Sequence, residues 1–191
     1  MTLTLVVPSL GDVTDPATIS QVLADLTGHD TNITLHATYL PAHTYKTSIG
    51  TAFSNTTVMA DESGFLVAGS ANVVYEINSI VYYNAGQVAD IKLGWTFPSS
   101  GSGHRLDYAA HGIDVGATVA LQETTSIGEA SGTAKTFGGA NIGSTRYVHF
   151  VMRWAVGTVA GNLQLQRAQN TATVENTVIA AGSWITRRRV A

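Results

Sequence analysis

Val73-Val74-Tyr75-Glu76-Ile77-Asn78-Ser79-Ile80-Val81-Tyr82-Tyr83 decides the fold class. β-Branched and aromatic residues dominate it, and apolar side chains recur on one parity at Val73, Tyr75, Ile77, Val81 and Tyr83. A period of two is that of a strand with one buried face. Asn84-Ala85-Gly86 supplies turn residues. Ala89, Ile91, Leu93, Trp95 and Phe97 then share one parity as far as Pro98, which cannot donate to a ladder. The two runs predict a hairpin with a three- to four-residue loop, joining residues 73–83 to residues 88–97.

Further strand signals lie on both sides. Upstream they are residues 33–40, 45–49, 57–59 and 64–68. Downstream they are 105–110, 117–122, 146–156, 162–168, 173–179 and 183–190. Residues 98–103 read as a Ser/Gly loop, and the Gly/Ala/Ser-rich residues 128–143 as a long surface connection. About ten strands with turns every 8–12 residues predict an antiparallel sandwich or jelly roll. No βαβ spacing points to a parallel sheet.

One helix signal precedes them. Thr14 or Asp15 can cap, Pro16 suits the first turn, and Ile19, Val22, Leu23 and Leu26 form an apolar stripe that ends before Gly28. Leu3, Leu5 and Val7 alternate ahead of Pro8 as a short extended arm. A helix this short is unstable alone and must pack on another surface. The expected organisation is an arm and helix over residues 1–40 and a β domain over residues 41–191.

The 191 residues hold no cysteine, 12% charged residues, 45% hydrophobic residues and a net charge of -3. That excludes a disulfide scaffold and a disordered chain. No apolar run is long enough for a membrane-spanning helix, and no basic start with an apolar region marks a secretory signal. Residues 141–191 carry six Arg and one acid, and residues 1–140 carry four Lys/Arg and twelve acids. The split, +5 against -8, predicts complementarity between segments or subunits, with no nucleic-acid partner and no membrane partner. Sparse charge points to self-association.

Motifs for catalysis are missing. There is no cysteine nucleophile and no G-x-S-x-G elbow. Residues 128–136 lack P-loop spacing. The closest histidines in sequence are seven apart, about 23 Å along a strand, too far for one metal unless the chain folds back. Asp107 and Asp114 flank His111 but read as polar strand-end residues. No enzyme activity, cofactor or metal is expected. The strand aromatics read as core or subunit contacts. Trp184, Arg187, Arg188 and Arg189 are candidate subunit-interface residues, since arginine suits bidentate pairing with carboxylates.

Several strand sequences, in order, resemble a known group. Residues 73–83, Ala89-Asp-Ile-Lys-Leu-Gly-Trp-Thr-Phe-Pro98, Gly161-Asn-Leu-Gln-Leu-Gln-Arg-Ala-Gln-Asn170 and Ala181-Gly-Ser-Trp-Ile-Thr-Arg-Arg-Arg-Val190 are similar to small virion structural proteins of actinobacterial tailed phages. The resemblance spans residues 43–191 and carries no catalytic motif. It implies a jelly roll of the tumour-necrosis-factor or complement-head kind that trimerises on the virion. The expected role is a capsid decoration protein, a homotrimer whose partner is the major capsid protein or another virion protein. Leu3, Leu5, Val7, Ile19, Val22, Leu23 and Leu26 would be its anchor. The alternative is a minor tail or fibre-tip protein that binds a host receptor or glycan.

Overall fold

The computed structural model describes residues 42–98, 103–114, 121–141 and 143–190, with only the backbone at 121 and 122. The anchor residues, the arm, the helix and the strand expected at 33–40 all lie outside the described residues.

Eleven strands are described: β1 (Ala42–Tyr45), β2 (Ala60–Gly69), β3 (Val74–Asn84), β4 (Ile91–Thr96), β5 (Arg105–Ile113), β6 (Leu121–Glu129), β7 (Ala134–Phe137), β8 (Arg146–Ala155), β9 (Gly161–Gln169), β10 (Val178–Ile179) and β11 (Trp184–Arg189). They form two sheets. The larger runs β1-β11-β3-β8-β5-β6, with β10 also beside β3, and the smaller runs β2-β9-β4-β7. Every strand pairing is antiparallel. Between consecutive strands the chain crosses from sheet to sheet, except at β5–β6 and β10–β11. Strands 1-11-3-8 over 2-9-4-7 form an antiparallel jelly roll, and the β5–β6 hairpin widens the larger sheet.

This topology overturns the expected hairpin between residues 73–83 and 88–97. β3 and β4 sit in different sheets and face each other across the core. Alternation marks which face is buried but not which strand is the neighbour. The turn between them is tied elsewhere: Asp90 donates its amide to Gly86 O (3.0 Å), and Ala140 donates to Ala85 O (2.7 Å). Residues 128–143 are not a surface connection either. They contain β7, and Phe137 is fully buried. The strand expected at 64–68 lies within the longer β2, which carries a bulge between Asp61 and Leu66 with Gly64 at φ +87°, whereas residues 57–59 precede it and form no strand. Residues 173–179 keep only a two-residue strand, and Thr177 bridges back to Phe53.

The inward parities close the core. Ile77, Val81 and Tyr83 from β3 meet Ile91, Leu93 and Trp95 from β4, with Val148, Phe150, Met152 and Trp154 from β8 and Leu163 and Leu165 from β9. Trp95 of one sheet meets Phe150 of the other edge-on at 5.6 Å, and Phe137 meets the same ring at 6.2 Å. Such contacts add about 0.5–1.5 kcal/mol each beyond area burial. Gly69 is required by packing, because a Cβ there would stand 2.5 Å from the Trp154 ring.

Candidate interaction face

The register places outward side chains of the larger sheet in rows that cross its strands. Tyr82 and Tyr147 face each other, with rings 6.2 Å apart. The next row is Tyr45, Trp184, Ile80, His149, His111 and Glu123, and the third is His43, Thr186, Asn78, Val151, Ala109 and Thr125. Tyr45, Tyr147 and Val151 are 62%, 49% and 44% exposed, so no described element covers this face. Glu123, at the β6 edge, is the one charged side chain in these three rows.

Charge is gathered in the fourth row, where Arg188, Glu76, Arg153 and Asp107 alternate in sign across β11, β3, β8 and β5. Arg188 pairs with Glu76. Arg105 donates to Asp107 Oδ1 at 2.9 Å, and the Gly128 amide donates to the same oxygen at 2.7 Å. Desolvation pushes the Asp107 carboxyl up, but the Gly128 amide, Arg105 and Arg153 outweigh it and hold the group below the usual carboxylate range. Beside this row, Glu76, Asn78, Asp107, Ala109, Val151 and Arg153 border a shallow depression of about 360 Å³.

The sequence's interface candidates divide by parity. Trp184 and Arg188 are in register with Ile80 and Glu76 and lie on the outer face. Arg187 turns the other way. It donates to Ala68 O at the mouth between the sheets and lies 5.7 Å over the Tyr75 ring. Arg189 shares the parity of Arg187 and is in register with Tyr75. Among the expected core or contact aromatics, Tyr75, Tyr83, Trp95, Phe150 and Trp154 are buried, whereas Tyr82, Tyr147 and Trp184 belong to the outer face. Asp107 and Asp114 do not converge: seven residues along an extended strand separate them by about 23 Å.

The fold brings together two groups that linear spacing could not show. His111 and His149 lie directly opposite each other on β5 and β8, with ring centroids 6.2 Å apart. Desolvation, and then the neighbouring His111, hold His149 below the ordinary imidazole pKa. Among the described residues no three His, Asp or Glu side chains converge on a common metal position.

The second group is buried and structural. Glu62 on β2 is 1% exposed, and its two oxygens accept from Lys46 at 2.5 Å and Arg167 at 2.6 Å. Arg167 also lies 4.2 Å over the Phe53 ring, and Gly50 packs against the cluster. The triad ties the segment after β1 to β2 and β9. Elsewhere, Asp90 accepts the Gly139 amide at 2.6 Å. Burial pushes its carboxyl up against that bond.

No family model matches the chain, and neither does any curated protein. Among solved structures, the VP2 subviral particle of infectious bursal disease virus is similar at 14% identity over 78% of this chain and 39% of that one, with a TM-score of 0.18. The Gt strain of the same virus gives 12% identity, 79% and 40% coverage and a TM-score of 0.19. The chain spans about two-fifths of the length of those capsid proteins. Overlays this low do not superpose one fold on another, so the jelly roll rests on this chain's own strand order.

Proposed function

We propose that this chain is a non-enzymatic structural protein of a tailed-phage virion. It works by self-assembly as a trimeric capsid decoration protein attached through its N-terminal segment. The observation that carries the assembly is the uncovered face of the larger sheet. Its first three rows set Tyr45, Tyr82, Tyr147, Trp184, Ile80 and Val151 among His, Thr and Asn side chains with a single edge carboxylate, and an uncovered face rich in aromatics and poor in charge has the composition of an interaction surface. Five strand spacings by six residues give a face of about 24 by 20 Å, close to 500 Å² in projection. Three such faces meeting about a three-fold axis, each shared between two neighbours, bury about 1,500 Å² in all, within the range of specific interfaces. The alternating fourth row presents no net field to a second copy, so copies can meet without repulsion. The trimer, the phage virion and the decoration role come from the strand patterns that resemble phage virion proteins.

Light scattering on the eluting full chain tests the assembly, with a species at three times the 20.0 kDa chain mass as the expected result. Val151→Asp, which puts a charge into the third row, is expected to yield folded monomers. A native monomer would overturn the proposal, and so would an assembly indifferent to that substitution. The location is read from purified particles: many copies over the shell support decoration, and a few at the tail do not. A second reading, a tail protein that binds a receptor glycan, is favoured by the depression bordered by Asp107, Asn78, Arg153 and Val151. It combines donors and acceptors with one apolar wall. Glycan binding lost in Asp107→Asn would support it.

A further inference from the structure

We propose that His111 and His149 form a binding site for one divalent transition-metal ion of the Cu²⁺ or Zn²⁺ class. The two imidazoles come from distant parts of the sequence and are brought into direct register on neighbouring strands, on the same exposed face. Side chains so opposed have Cβ atoms about 4.5–5.5 Å apart. A tetrahedral ion with metal–nitrogen bonds of about 2.0–2.1 Å holds two imidazole centroids about 5 Å apart. The observed 6.2 Å is therefore closed by a shift of about 1 Å, which small rotations of two surface side chains supply.

Only the neutral imidazole ligates. The groups around the pair agree with a cation. Ile80 flanks His149 from β3, Tyr147 and Val151 stand on either side along β8, and Glu123 extends the row beyond His111 with a negative charge. The nearest arginine on the outer parity of β8 is Arg153, four residues and about 13 Å along the strand. Two imidazoles leave the remaining positions to water, and at a nitrogen site Cu²⁺ binds more tightly than Zn²⁺. Both ligands belong to one chain, so a single copy supplies the whole pair.

The test is calorimetric titration of the full chain with CuCl₂, followed by electron paramagnetic resonance of the loaded sample. Stoichiometric binding with hyperfine structure from two imidazole nitrogens is expected. Loss of a mere partner behind a metal ligand weakens affinity about 10–100-fold, so His111→Asn and His149→Asn are each expected to cost at least about tenfold. His43→Asn, on the same face but three strands away, should leave binding unchanged. Binding that persists in the His111→Asn/His149→Asn double variant would overturn the site, as would a resonance signal without imidazole nitrogen. If a variant unfolds, the spectrum of the native chain decides. Gel filtration of the same samples reads self-assembly separately, so each proposal can fail without the other.

Discussion

Replacing Glu62 with glutamine should show how the segment after β1 is held against β2 and β9. The substitution keeps the shape of a side chain that is 1% exposed and removes its charge. Lys46 and Arg167, whose side chains are 9% and 12% exposed, then face each other without an anion. Removing one partner of a buried ion pair costs about 3–5 kcal/mol, because the remaining charge stays desolvated and uncompensated. A domain of this size loses about 2–4 °C in Tm per kcal/mol, so the melt should fall by roughly 6–20 °C. Calorimetry at fixed protein concentration measures this, since assembly makes Tm concentration-dependent. The same reasoning predicts rescue. Lys46→Met/Glu62→Leu/Arg167→Met removes all three charges and should melt near or above the native chain, minus the contact between Arg167 and the Phe53 ring. A Glu62→Gln cost below about 1 kcal/mol would refute the argument. So would a triple variant as unstable as the single one.

Acid should weaken the fold from pH 6.5 downward. Burial lowers the pKa of His104, whose ring stacks on Trp154 at 5.8 Å, and burial followed by His111 lowers that of His149. The unfolded chain therefore takes up protons first as pH falls, and the stability present above 6.5 is lost at up to about 1.4 kcal/mol per pH unit per histidine. Urea midpoints from pH 7.5 to 5 check this, and His104→Phe should flatten the profile. Gly69→Ala drives a Cβ to 2.5 Å from the Trp154 ring and should cost about 1–3 kcal/mol by chemical denaturation. Deleting residues 1–28 should leave a folded, assembled β domain that no longer joins particles. Particles that still carry the truncated chain would remove the anchor role from Leu3, Leu5, Val7, Ile19, Val22, Leu23 and Leu26.

Much of the fold was readable because alternation reports burial directly. β3, β5, β8, β9 and β11 all lie where period-two runs with turn residues placed them. Pairing was not readable. Ile77 and Ile91 both point into the core, but nothing in their spacing says that the core lies between their strands. β7 was hidden because Ala134 and Lys135 are poor strand formers held in place by β4, and Phe137 alone carried the burial signal. The site was less legible still. Trp184 and Arg188 could be singled out, but Arg187 belongs to the opposite parity, a distinction that depends on register. His111 and His149 meet only through the β5–β8 pairing, and Glu62 meets Arg167 only through β2–β9. Such contacts are made by topology and leave no local trace.

In the larger sheet the first described strand pairs with the last: β1 lies on β11, and β11 lies on β3. Residues 42–45 therefore have no partner until residues 184–187 have been synthesised, and β5–β6 is the one hairpin whose two strands are also chain neighbours of full length. Most of the β domain is therefore synthesised before its larger sheet can be completed. Chains whose contacts lie this far apart fold on the millisecond-to-second scale. A copy broken before Trp184 lacks β11 and leaves β1 unpaired, so its outer face is two strands narrower, and broken copies would be disfavoured in an assembly without any separate proofreading step.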